Sequence, residues 1–172
     1  GTEGTDYSTI SDITISAGST TGTASFTPTN DSTYEGNETG IVAISGVSGA
    51  DAAESGTQSV TITISEDDSA PTVTLATSAS SIAENAGSSL TLTATLSIAT
   101  TADVTVAIGT SGTGTEGTDY STISDITISA GATTGTASFT PTDDSVYEGN
   151  ETGIVAISSV SGGSATEDGT QS

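Results

Sequence analysis

The 172-residue sequence contains no lysine, arginine, histidine, cysteine, methionine or tryptophan. Each absence removes a class of function. Without His, Cys or Lys the common general bases, thiol nucleophiles and Schiff-base amines are missing, so no enzymatic activity is expected. Without Arg or Lys there is no side chain to clamp phosphate, which argues against nucleic acid and anionic membrane surfaces as partners. Direct membrane insertion is not expected either. No disulfide, side-chain salt bridge or lysine–asparagine crosslink can form.

What is present is acid: 22 Asp and Glu residues give a formal charge of −22. Leu, Ile, Val and Phe together make 30 of 172 residues, or 17 %. Below about 20 %, combined with high net charge, is a composition of disordered chains. Two patterns oppose that reading. The apolar residues alternate in short runs, and the acids lie almost wholly between those runs. Multivalent cations that neutralised the acidic gaps would let such a chain fold.

The strongest organising feature is a repeat. Gly1-Thr2-Glu3-Gly4-Thr5-Asp6-Tyr7 returns as Gly114-Thr115-Glu116-Gly117-Thr118-Asp119-Tyr120, a period of 113 residues. Residues 1–59 align without gaps on 114–172, with 51 of 59 pairs identical. The differences are Ser19/Ala132, Asn30/Asp143, Thr33/Val146, Gly46/Ser159, Ala50/Gly163, Asp51/Ser164, Ala53/Thr166 and Ser55/Asp168. The chain starts and stops in mid-repeat, as an excerpt or processed piece of a longer tandem array would.

Period-two alternation predicts strands, and no segment carries a helical period. One cycle begins after Pro71 with strands at 72–76, 88–97, 103–108, 123–129, 134–140 and 153–160. The seventh is read from the preceding copy at 59–65, where Val60, Ile62 and Ile64 alternate with Thr61 and Thr63. Seven short strands separated by Gly/Ser/Asp-rich turns predict an all-β chain of tandem immunoglobulin-like, antiparallel seven-strand sandwiches. The 37 threonines suit the outward rows, being β-branched and neutral. Domain boundaries then fall at Pro71: 1–70 supplies the last four strands of one module, and 71–172 the first six of the next.

In an antiparallel sandwich, the loops after strands one, three and five and the end of strand seven share a pole. Those segments hold Glu84, then Glu116 and Asp119, then Asp143, Asp144, Glu148 and Glu151, and finally Glu66, Asp67 and Asp68. Carboxylates gathered there without a cationic partner repel one another unless a hard cation binds. Ca²⁺, which takes about six to eight oxygen ligands in flexible geometry, suits such loops. Mg²⁺ demands stricter octahedra, and zinc favours the His and Cys that are absent.

Several runs together resemble the Calx-β repeat. They are Gly117-Thr118-Asp119-Tyr120, Ile128-Ser129-Ala130-Gly131-Ala132-Thr133, and Asp143-Asp144 followed by Glu148 and Glu151. Ile82-Ala83-Glu84-Asn85-Ala86-Gly87 and the closing Ile64-Ser65-Glu66-Asp67-Asp68 extend the likeness over essentially the whole chain. The resemblance implies calcium sites at the acidic pole, beside the following module, as in sodium–calcium exchangers and large microbial surface proteins. It implies ligands Glu84, Asp119, Asp143, Asp144 and Glu148 in the second module. In the first it implies Asp6, Asp31, Glu35 and the trio Glu66, Asp67, Asp68. Asn30 departs from the pattern, standing where the other copy has Asp143, and a neutral amide there implies weaker binding.

Other acids read as solvated surface: Glu3, Asp12, Asp51, Asp103, Asp125 and Glu167. Tyr7 and Tyr120 read as packing residues at the sandwich edge. Sequons at Asn30, Asn37 and Asn150 overlap the proposed metal loops and are discounted. Exposed strand rows account for Thr91, Thr93 and Thr95 more simply than a sugar- or ice-binding face. The expected role is structural: an extracellular or cell-surface array, such as an adhesin stalk, matrix protein or filament, stiffened by calcium between neighbouring repeats. Lateral self-association into filaments or matrix is a further expectation. The alternative is a regulatory calcium sensor of a transporter or signalling protein, against which the near-identity of the copies argues.

Overall fold

Alternation of buried aliphatics with outward threonines builds the ladders of this protein, described by a computed structural model over residues 1–169. The strands are β1 (Thr33–Tyr34), β2 (Glu38–Ala43), β3 (Ser59–Ile64), β4 (Thr72–Thr77), β5 (Leu90–Leu96) and β6 (Ala99–Thr100). They continue with β7 (Val104–Gly112), β8 (Ile126–Ile128), β9 (Thr134–Phe139), β10 (Gly153–Ser161) and β11 (Thr166–Glu167). A single 3-10 turn at Glu84–Ala86 interrupts this all-β pattern among the described residues. Among the described residues no helix is long and apolar enough to cross a membrane.

The chain forms two compact units. One comprises Gly1–Asp31 and Glu35–Asp67; the other comprises Ser32–Tyr34 and the chain from Asp68 onward. In the second unit a four-stranded sheet, β11-β4-β5-β9, faces a three-stranded sheet, β10-β7-β8. Val73, Leu92, Ala94 and Leu96 from the first sheet meet Val104, Val106, Ile126, Ile128 and Ile157 from the second in one buried cluster. Registers fix which side chains meet: Val73 opposes Leu96, Leu92 opposes Ala137, and Val106 opposes Ile126. Because the side-chain period is two, this register turns Thr91, Thr93 and Thr95 to the opposite face. Ser32–Tyr34 joins this unit through β1, which runs parallel to β6.

The first unit is simpler. An antiparallel ribbon pairs β2 with β3, from Glu38 opposite Ile64 to Ala43 opposite Ser59.

Three features differ from the expected pattern. Segments 10–16 and 21–27 carry no strand, although 10–16 is identical to 123–129 and 21–27 to 134–140. In the second unit those equivalents gain ladders from β7 and β5, and the first unit holds no counterpart of either. Second, pairing is not wholly antiparallel. Buried Ala165 anchors β11 so that it lies parallel to β4, with Thr166 N–H donating to Pro71 O at 3.1 Å and Asp168 N–H to Val73 O at 2.9 Å. Glu167, expected on the open surface, is half-buried in that strand. Third, expected strand 123–129 contracts to Ile126–Ile128, whereas 103–108 lengthens to Gly112.

Candidate metal centre

Asp119 is placed by a turn that its own sequence dictates. Gly117, at φ +83°, lets its N–H reach back to Tyr120 O at 2.7 Å. Asp119 N–H donates to Thr115 O at 2.9 Å, and the Asp119 carboxylate accepts the Thr115 N–H at 2.5 Å. An aspartate at this position therefore caps its own turn through a local side-chain-to-backbone bond. Tyr120 is buried and stacks on Phe139, centroids 4.7 Å apart and planes 25° apart. The same turn recurs one period earlier: Gly4 N–H donates to Tyr7 O at 2.7 Å, Thr2 N–H donates to the Asp6 carboxylate, and Tyr7 stacks on Phe26 at 4.5 Å. Both tyrosines are packing residues.

Three loops of the second unit bring acids to this turn. Glu84 comes from the 3-10 turn after β4, Asp119 from the loop after β7, and Asp144, Glu148 and Glu151 from the loop after β9. Carboxylate oxygens of Glu84, Asp144 and Glu148 lie within 4.8 Å of one another, as do those of Asp119, Glu148 and Glu151. Glu148 belongs to both groups. Glu84, Asp119, Glu148 and Glu151 line a cleft of about 1010 Å³ together with Leu75, Leu90 and Phe139. Asp144 N–H approaches Glu84 Oε1 at 3.4 Å, while Asp144 Oδ1 accepts the Val146 N–H at 2.6 Å.

In the first unit Asp6, Glu35 and Glu38 form the equivalent group, again within 4.8 Å. These residues stand one period before Asp119, Glu148 and Glu151. The loop holding Glu35 is clamped by Glu66, whose Oε2 accepts Glu35 N–H at 2.7 Å and Gly36 N–H at 2.6 Å. Glu66 N–H in turn donates to Asn37 Oδ1 at 2.9 Å. The consecutive acids Glu66, Asp67 and Asp68 also approach within 4.8 Å, and Asn30 Nδ2 donates to Asp67 Oδ2 at 3.2 Å.

The protonation equilibria carry the mark of this crowding. Glu35 is held above the ordinary glutamate value by partial desolvation, then by the negative charges of Asp6, Asp31, Glu38 and Glu66. Glu148 is raised by desolvation and by Asp119, Asp144, Glu151 and Glu84. Glu151 is raised by desolvation, the charge of Asp119, a carboxyl–carboxyl hydrogen bond to it, and Glu84. Each group is thus less willing to ionise beside its neighbours.

Of the residues expected as ligands, the structure brings Asp6 to Glu35, Asp144 to Glu84 and Glu148, Asp119 to Glu148, and Glu66 to Asp67 and Asp68. Asp31 stands outside these groups but close enough to raise Glu35. Asp143 is exposed and outside them. Sequence reasoning did not assign Glu38 and Glu151 as ligands. Their signal was available: both copies keep Glu three residues after Glu35 and Glu148, across a glycine-containing turn that returns the chain toward the same side. Three acids expected to be merely solvated hold backbone instead. Glu3 Oε1 accepts Ile10 N–H at 2.7 Å, Asp103 Oδ1 accepts Ala130 N–H at 2.8 Å, and Asp125 Oδ1 accepts Ile108 N–H at 3.0 Å. Glu116 accepts Ile123 N–H and Thr110 Oγ1–H, both at 2.7 Å, and those bonds hold its carboxyl below the ordinary value.

A cation fits these groups chemically. Every donor is a hard carboxylate oxygen, and the chain offers no basic side chain to compete. That donor set matches Ca²⁺ rather than thiolate- or imidazole-seeking metals. The family model for the Calx-beta domain matches twice, over residues 1–68 and 66–171. Domains of that family are non-catalytic and bind calcium. No curated protein and no solved structure matches the chain.

Proposed function

Because this chain belongs to the Calx-beta family, we propose that it works as a calcium-stiffened structural segment of an extracellular, cell-surface array. The supporting observation is the recurrence of one three-carboxylate group, Asp6-Glu35-Glu38 and Asp119-Glu148-Glu151, at a spacing of 113 residues. A repeated site in near-identical copies suits a spacer, in which no repeat is special. Asp119, Glu148 and Glu151, with Glu84 and Asp144, would hold the ion in the second unit; Asp6, Glu35 and Glu38 would do so in the first. Bound calcium supplies the positive charge that the composition lacks. The protein's own contribution is to fix the loops: the aspartate-capped turn, the Glu66 clamp and the Tyr–Phe stack position the carboxylates before any ion arrives. Chelation leaves them repelling, and the loops after β4, β7 and β9 lose a common partner.

Thermal unfolding in millimolar Ca²⁺, in chelator and in Mg²⁺ tests the reading. Binding linked to folding predicts a Ca²⁺-selective rise of at least about 5 °C, from the usual mass-action stabilisation of a domain this size. Glu148→Gln, which touches both groups of the second unit, removes most of the rise. Equal melts in calcium and chelator would sink the proposal. Solution scattering on the same samples reads stiffness directly, through a larger radius of gyration in calcium.

A further inference from the structure

Val146-Tyr147 stands one period after Thr33-Tyr34, yet the two dipeptides have different fates. Thr33 and Tyr34 are half-buried in β1, paired in parallel with β6 as Thr33 opposite Ala99 and Tyr34 opposite Thr100. Val146 and Tyr147 are 61 % and 96 % exposed and lie outside every strand. Flanking sequence does not separate them: both follow Asp-Ser and precede Glu-Gly-Asn-Glu-Thr-Gly. The one substitution, Thr to Val, favours strand pairing more strongly. A nearly bare tyrosine at a loop tip is apolar area available for burial, with a hydroxyl that tolerates the rim of a contact.

We infer that Val146-Tyr147 is a docking element whose partner is an Ala99-Thr100 edge on the next copy of the repeat along the array. The occupant is identified by the molecule itself, since the equivalent dipeptide already occupies that edge at β6. Main-chain hydrogen bonds to an open edge supply the attachment, as in strand addition generally. The inference rests on the array reading; neither dipeptide contains a carboxylate, but Asp144, whose Oδ1 accepts the Val146 N–H, and Glu148 flank the exposed one, so trapping is read both with and without calcium.

A sequence free of cysteine makes disulfide trapping clean. The chain is extended by one further 113-residue period, and Val146→Cys is combined with Ala→Cys at the position equivalent to Ala99 in the added copy. Thr33→Cys with Ala99→Cys in the unextended chain serves as reference, since neighbouring strands bring the Cα atoms into disulfide range. Mild oxidation closes the Val146 pair within each molecule about tenfold faster than a control pair with Cys at Ser80, reflecting a raised effective concentration. The inference is overturned if the reference closes and the Val146 pair does not, if bonds form only between separate molecules, or if neither pair closes. Each experiment is repeated in calcium and in chelator. Closure in both, with unchanged melts, would leave the docking standing while the calcium reading fell.

Discussion

Residues 13–15 and 126–128 are the same tripeptide, Ile-Thr-Ile, in near-identical surroundings of sequence. Ile126 and Ile128 are fully buried in β8, whereas Ile13 and Ile15 are each 57 % exposed and belong to no strand. What survives without partner strands is the local geometry. A Cβ on Gly22 would meet Thr14 O at 2.5 Å, and one on Gly135 would meet Thr127 O at the same distance. The chain therefore folds back on itself identically in both places. Hairpin approach, capped turn and Tyr–Phe stack are encoded within a few dozen residues; the ladder and the burial are supplied by strands far away in sequence. Local structure repeats with the sequence, and tertiary structure repeats only where its partners do.

The sharpest way to break this comparison is a pair of truncations. Ile126→Ala removes buried methyl groups at the centre of the cluster and costs about 2–5 kcal/mol by chemical denaturation. Ile13→Ala, on an exposed site, stays within about 0.5 kcal/mol. Equal losses would show that the first unit is packed as the second is.

A natural substitution gives the next contrast. Gly163 sits at φ +53°, and a Cβ there would lie 2.9 Å from both Thr100 Oγ1 and Val104 Cγ2. Ala50 fills the equivalent position at φ +48°, where the first unit has no counterpart of those strands. Gly163→Ala should destabilise the second unit by about 1–3 kcal/mol, from overpacking and backbone strain together. Ala50→Gly, which relieves backbone strain with no overpacking to remove, should stabilise slightly, by about 1 kcal/mol or less. Hydrogen exchange resolved by unit would read both.

Acidity separates the two kinds of glutamate. Glu116 has its carboxyl lowered by the Ile123 N–H and Thr110 bonds, so the unfolded chain binds its proton more readily. Its stabilising contribution is complete above the ordinary glutamate value and is lost as pH falls through the lower folded one. Glu148 and Glu151 are raised, so the folded chain keeps those protons longer. Their penalty is complete above the raised value and is relieved as pH falls through it toward the ordinary value. In chelator, Glu148→Gln should therefore raise the melting temperature at pH 7 and flatten the profile just above the ordinary range. Glu116→Gln should lower it at neutral pH and flatten the more acidic limb. A Glu148→Gln variant less stable than the parent in chelator would contradict the mutual-repulsion account.

Strands β4, β5 and β9 were legible because Val73, Leu92, Ala94, Leu96, Ala137 and Phe139 alternate with threonine or serine, and alternation is a local signal. The absence of strands at 10–16 and 21–27 in the first unit was not legible. Segments 10–16 and 21–27 carry the same alternation, and pairing depends on residues outside the window being read. The parallel turn of β11 escaped for a similar reason: Thr166-Glu167 becomes a strand only because β4 lies beside it. The acidic loops could be found from charge and spacing, yet charge could not sort their members. Glu3, Asp103 and Asp125 differ from the clustered acids in what their oxygens accept, which is backbone N–H rather than the company of other carboxylates. Glu38 opens β2, where an acid reads as surface, and Glu151 falls at the acidic pole by sequence without being given a ligand's role.

The aspartate-capped turn also sets an order of events. Its bonds close between residues three or four positions apart, from Gly117 to Tyr120 and from Thr115 to Asp119. Such a turn needs only its own heptapeptide and forms on the timescale of a short loop. The four-stranded sheet waits much longer, because β4 gains its outer neighbour only when Thr166 arrives. A chain leaving the ribosome thus presents its acidic turns ready-made before its sandwich can close, and closure of the second unit is timed by the last strand to emerge.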